Sequence, residues 1–206
     1  MTPLRLPLIL AIAGLLAFGS FQAVRAQTLI VRLYDYADVS ARDIASLTGT
    51  TGLVFSHSGI TLVWRHCRGA IAVQPGAACE AVIQGNEIVL RLQPGGTPTS
   101  NQGTTLSLGH ALIVDGGGSY ANVFVPSVRA QSAEFGVAFD LLMGYTVAHE
   151  IGHCMLGPGH SYTGLMRGAW DLKDAGQMLR LGLRLTKQQA RKAAVRLSLA
   201  EPAVLH

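Results

Sequence analysis

The chain has 206 residues, 49% of them hydrophobic and 14% charged, with a formal net charge of +4. That length and apolar content suit one folded domain with its own core and exclude a disordered or low-complexity chain. The small positive excess, gathered at Lys187, Arg191, Lys192 and Arg196 near the C-terminus, fits the solvated face of a helix, and no nucleic-acid motif accompanies it.

The N-terminus carries Arg5, then an unbroken apolar run from Leu8 to Phe18, then Val24-Arg25-Ala26. A short basic start, an apolar centre and small residues at the cleavage positions predict a secretory signal peptide over residues 1–26, cut after Ala26. The apolar run is far shorter than the ~20 residues a membrane-spanning helix needs. No later segment is a better candidate, so the mature chain, residues 27–206, is expected off the membrane, in the periplasm or outside the cell. Losing Arg5 and Arg25 leaves a formal charge of +2 on it.

Thr28 to Tyr36 is rich in Leu, Ile, Val and Tyr and predicts a strand. Ser40 is placed to cap a helix, with Asp43 three residues on. Ile44, Leu47, Leu53 and Val54 are spaced for its buried face, although Thr48 to Gly52 weakens the helix and leaves a break open. Strands are expected at Ile60 to His66 and Glu87 to Leu92. Export places the three cysteines in an oxidising compartment. Cys67 and Cys79, separated by a turn-rich segment with Pro75-Gly76, are the expected disulfide, and Cys154 is left as a buried thiol.

Pro94 to Gly103 reads as a surface loop. Leu108 to Val114 and Tyr120 to Val128 predict two strands of a hairpin turning at Gly116 to Gly118. A long helix then runs from Phe135 through Phe139, Leu142, Met143, Thr146 and Val147 to His149 and His153. Gly157-Pro158-Gly159 stops it, Gly157 serving as a left-handed cap. A final helix runs from a Thr186 cap to about Leu199. This order predicts an α+β fold: a mixed five-stranded sheet with an active-site helix and a C-terminal helix packed on it.

His149-Glu150-Ile151-Gly152-His153 matches H-E-x-x-H. Residues four apart on a helix share a face, so both imidazoles can reach one zinc ion. Glu150 is displaced around the helix, beside the metal but free of it, where it can act as general base toward water. Burying two histidines and a glutamate together without a partner would be costly, which disfavours a plain core role. His160, just past the chain reversal, is the expected third ligand. Asp171 and Asp174 are the rival set, although their spacing equally suits a solvated helix start. Three protein ligands leave the fourth position of a single Zn2+ open for catalysis.

With His149, Glu150, His153, Gly157, His160 and Met166, the chain resembles the metzincin clan of zinc peptidases. That clan carries H-E-x-x-H-x-x-G-x-x-H followed by a methionine turn. Here the glycine and the third histidine each fall one residue later. The resemblance implies that Met166 forms an apolar floor under the metal without ligating it. Some members carry a tyrosine two residues after that methionine; here the position is Gly168, and Tyr162 is the substitute candidate. Leu108-Gly109-His110-Ala111 resembles the clan's substrate-flanking edge strand, which implies an extended peptide or protein substrate paired along it. The chain also resembles a group of uncharacterised bacterial exported proteins. They share A-H-E-I-G-H-x-x-L-G, a following H-S, G-x-M-R and a tryptophan, found here from Ala148 to Trp170.

The expected activity is zinc-dependent hydrolysis of peptide bonds by a monomeric secreted endopeptidase. The alternatives are a non-catalytic zinc-containing module that binds extended peptides, or a hydrolase of a non-peptide amide. His57, His66 and His206 need no chemistry on this reading. His110 is either a structural histidine or part of the cleft wall, and Trp64 and Trp170 belong to core or cleft wall.

Overall fold

The computed structural model describes residues 27–71, 76–95, 107–113 and 119–200, so the signal peptide, the loop after Gly95 and the Gly116 to Gly118 turn lie outside the described residues. Strand β1 (Gln27–Asp35) leads through helix α1 (Ala41–Ser56) to β2 (Ile60–Arg68). A short turn of helix, α2 (Ala77–Glu80), precedes β3 (Glu87–Gln93), β4 (Gly109–Ile113) and β5 (Ser119–Phe124). Helices α3 (Val125–Phe135), α4 (Phe139–Leu156), α5 (Leu172–Met178) and α6 (Lys187–Ala200) complete the chain.

The sheet order is β2-β1-β3-β5-β4. Neighbours are parallel from β2 to β5, and only β4 runs antiparallel, at the edge. The fold is therefore the expected α+β arrangement, a mixed five-stranded sheet with packed helices. Side chains alternate across a strand. Leu29, Val31 and Leu33 of β1, Leu90 and Leu92 of β3, and Ala121 and Val123 of β5 are all buried, and they belong to one core with residues of α1 and α4.

The opposite face at β1 and β3 carries charge. Arg32 pairs with Glu87 inside the protein, and Arg65 reaches the other oxygen of Glu87 at 2.5 Å. Arg32 also donates to the carbonyl of Ala81 at 2.6 Å, and the Tyr34 hydroxyl donates to that of Cys79 at 2.7 Å. The expected Cys67–Cys79 disulfide is formed. It ties α2 and the residues after it across this polar patch.

Three local readings are corrected. First, α1 is one unbroken helix capped by the Ser40 side chain on Asp43 N. Thr48 and Thr51 turn their hydroxyls back onto the carbonyls of Ile44 and Leu47, so the polar stretch stays helical. Its inner face carries Thr51, Val54 and Phe55, whereas Leu53 is exposed. Second, the fifth strand ends at Phe124, and residues 125–128 open α3, with Pro126 in its first turn. Proline is preorganised for a helix start and cannot donate to a sheet ladder.

Third, the long helix starts at Phe139 and not at Phe135, which instead closes α3 before a left-handed Gly136 (φ 63°, ψ 29°). The helix start that the Asp171–Asp174 spacing suited is present, as a reciprocal capping box of the two at the head of α5.

Helix α4 is buried on nearly every side from Leu142 to Gly152. A helix apolar all round belongs at the centre of a domain, and this one is covered by the sheet, α1, α3 and α6. Gly144 lets α1 approach closely, since a Cβ there would lie 2.6 Å from Cβ of Thr50. Helix α6 starts with the predicted Thr186 cap, reciprocated by Gln189. No helix among the described residues is long and apolar enough to cross a membrane.

Candidate metal centre and cleft

Helix α4 ends just past His149 and His153. Gly157 accepts the last turn with φ 95°, and Gly159 follows at φ 115°. A Cβ at either residue would meet nothing within 4 Å, so these glycines serve the backbone reversal and not close packing. Gly157 is thus glycine for its positive φ, as expected, but with an extended ψ of 179° instead of a left-handed one. The reversal carries His160 back over the helix end.

His153 Nε2 lies 3.0 Å from His149 Nε2 and 3.2 Å from His160 Nε2. The three rings offer ligand atoms all within 4.8 Å of one another, the one such group among the described residues. The tautomers of two rings are set by main-chain carbonyls, which can only accept. His149 Nδ1 donates to Leu165 O at 2.8 Å, and His153 Nδ1 to Gly157 O at 3.3 Å. Their Nε2 atoms are therefore bare in the neutral rings and face each other. Two lone pairs at that distance repel unless a cation stands between them.

Two nitrogens bound to one tetrahedral zinc at ~2.05 Å are separated by about 3.3 Å, so the residues fit that ion. Burial lowers the pKa of His149 to about 4, with the Leu165 carbonyl opposing and the other two histidines adding to the shift. Burial also lowers His153, again opposed by its carbonyl. Neutral imidazole is the ligating form.

Glu150 is buried, and its Oε2 has no hydrogen-bond partner. Burial pushes its carboxyl up to about 8. Strand β4 crosses directly over it: a Cβ on Gly109 would stand 2.8 Å from Glu150 Oε1. That approach was not legible from the L-G-H-A string, which marks the strand but not what lies beneath it. Met166 is buried against Gly152, where a Cβ would collide with its sulfur. Gly152 is thus the small residue between the two helical histidines that lets the methionine come up under them.

The rivals are placed elsewhere. Asp171 and Asp174 cap α5 and bind Arg167 at 2.8 and 2.5 Å, and neither lines the cleft. Arg167 holds Asp171 below the usual carboxylate range. Tyr162 is 99% exposed and also outside the cleft. Cys154 is free and buried, as expected, its thiol pushed up to about 12 by burial and then by Glu150.

The imidazoles and Glu150 line an open cleft of about 540 Å³. One wall is Leu108 to Ala111 at the sheet edge, and another is Arg167 to Trp170. Gln131 and Phe135 of α3 and Thr146 of α4 complete it. Sequence reading missed the α3 contribution: it assigned no element to Gln131 and placed Phe135 on the long helix. His110 is among the lining residues; its Nε2 accepts from the Asn122 amide at 3.2 Å, and that amide's oxygen accepts from Gln93. Trp170 stands edge-on to His149 at 5.3 Å between centroids, and its Nε1 donates to the same Leu165 carbonyl at 3.3 Å.

No protein-family model matches the chain, and no curated protein does. Among solved structures, archaemetzincin from Methanopyrus kandleri shares the fold. It aligns with a TM-score of 0.54 and 14% identity over 85% of this chain and 99% of that one. At that identity the likeness concerns architecture, and it agrees with the mixed sheet and its packed helices.

Proposed function

We propose that the protein is an exported zinc-dependent peptidase. The observation that carries this reading is the convergence of three imidazole nitrogens, two of them bare, beside a buried carboxyl group that has an unsatisfied oxygen in the same cleft. A purely structural zinc site has no use for the carboxylate, because an unpaired buried polar group only costs stability. The archaemetzincin likeness supports the fold for such a role, and the formed disulfide accords with an oxidising compartment.

His149, His153 and His160 would hold the ion. Zinc bound there supplies Lewis acidity and lowers the pKa of a coordinated water toward ~7. Glu150, held under β4, takes the proton from the attacking water and returns it to the leaving amine. The exposed edge of β4 hydrogen-bonds an extended substrate through its backbone. Arg167 to Trp170 and α3 shape the pocket beside the scissile bond. Met166 acts as apolar packing beneath the ligands.

Cleavage of an unbiased peptide library by the mature, zinc-loaded chain tests the reading, with Glu150→Ala as control. Cleavage by the parent alone supports it. A folded, zinc-bound parent that cleaves nothing redirects it to a non-peptide amide or to a module that binds extended segments.

A further inference from the structure

The three imidazoles are held in three different ways. His149 is buried and fixed through Nδ1 to Leu165 O, and His153 is half-buried and fixed, less closely, to Gly157 O. His160 is exposed, and no hydrogen bond to its Nδ1 is formed among the described residues. What it has instead is packing. Its ring lies nearly parallel to that of His149, at 27° and 5.4 Å between centroids. Its other neighbour is the backbone of Gly168. A Cβ on Gly168 would stand 2.9 Å from Cγ, 3.0 Å from Nδ1 and 3.3 Å from Cβ of His160.

Gly168 has no left-handed φ to explain its identity. Its glycine character is spent on contact with one ring. The atoms it would strike are the root of the imidazole, which cannot swing aside while Nε2 stays on the other two nitrogens. Position 168 and the third imidazole are therefore sterically coupled: any side chain there moves His160.

Resting on the reading of the three histidines as one metal site, the geometry assigns Gly168 as the positioning residue of His160, seating by contact the one ligand that lacks a carbonyl anchor. The seat belongs to the same short stretch whose Leu165 carbonyl aligns His149 and whose Met166 packs beneath, so residues 165–168 act on the ligand set at three points.

The test uses the mature chain as parent, with Gly168→Ala, His160→Ala and the double variant. Zinc affinity is read by competition with a chromophoric chelator, and coordination by the visible absorption of the cobalt-substituted proteins. Metal-free thermal unfolding is followed as a fold check. Gly176→Ala serves as control, because a Cβ at Gly176 meets nothing within 4 Å.

Gly168→Ala is expected to weaken zinc binding by roughly 10- to 100-fold, the usual cost of losing support for a ligand. Its cobalt spectrum should shift, while metal-free unfolding and the Gly176→Ala control stay at the parent's values. In the His160→Ala background the same substitution should change nothing. Parent-like affinity in Gly168→Ala, or an equal loss in both backgrounds, overturns the assignment. A parent that binds no zinc overturns the metal reading itself, and the first titration separates that failure from the other.

Discussion

His149 is aligned by Leu165: the imidazole Nδ1 donates to the Leu165 carbonyl at 2.8 Å, across sixteen residues of chain. Trp170 Nε1 shares that oxygen at 3.3 Å and packs edge-on against the same ring. Removing the indole donor while keeping an aromatic wall isolates the hydrogen bond. Trp170→Phe is expected to weaken zinc binding by a few-fold up to about 10-fold. Chelator competition measures it, and unchanged affinity would mean that the carbonyl holds His149 without the indole's help.

Glu150 is the group asked to move protons. Glu150→Gln keeps the volume and removes the base. Hydrolysis is expected to fall at least ~10²-fold, with zinc still bound at the parent's stoichiometry by metal analysis. Loss of zinc along with activity would place Glu150 among the groups that hold the ion and count against its role as general base.

Glu87 is buried between Arg32 and Arg65. Deleting it strands a guanidinium that is itself almost wholly buried. Glu87→Ala is expected to destabilise the protein by about 3–5 kcal/mol, read as a lowered urea midpoint. A loss below ~1 kcal/mol would show that Arg32 is satisfied by the carbonyls of Ala81 and Val82 alone, to which it donates at 2.6 and 3.2 Å.

The chain holds three cysteines, of which Cys67 and Cys79 are paired and Cys154 is buried and free. A thiol reagent is expected to find no reactive group in the native protein, one after denaturation, and three after reduction. Replacing Cys67 and Cys79 by serine should cost about 2–3 kcal/mol, as for other short closed loops. A thiol that reacts at once in the native state would contradict the burial of Cys154.

Much of this was legible because local signals and packing agree. Ser40, Thr186 and the β1–α1–β2 unit stand where capping residues and hydrophobic runs place them. His149, Glu150 and His153 are brought together by helix geometry alone. The misreadings occur where two signals compete. Val123-Phe124-Val125 looks like strand continuing, but Pro126 turns the chain into α3. Thr48 to Gly52 has poor helix propensity, yet packing against α4 and the threonine back-bonds hold it helical. Asp171 and Asp174 carry ligand-type side chains at helical spacing, and only the position of Arg167 shows that they are already engaged. Gly109 and Gly168 reveal their roles only in three dimensions, since close approach of a backbone leaves no periodic trace.

All three imidazoles, the carbonyl that aligns one of them and the glycine behind another fall between residues 149 and 168. A cation shared by His149, His153 and His160 therefore closes only a short stretch of chain, and the entropy of closing a loop grows slowly with its length. Such a staple tightens the reversal after α4 far more than it tightens the sheet. Metal removal should accordingly raise amide hydrogen exchange over residues 157–170 and leave β1, β3 and β5 protected, so that the centre comes apart locally while the rest of the fold stands.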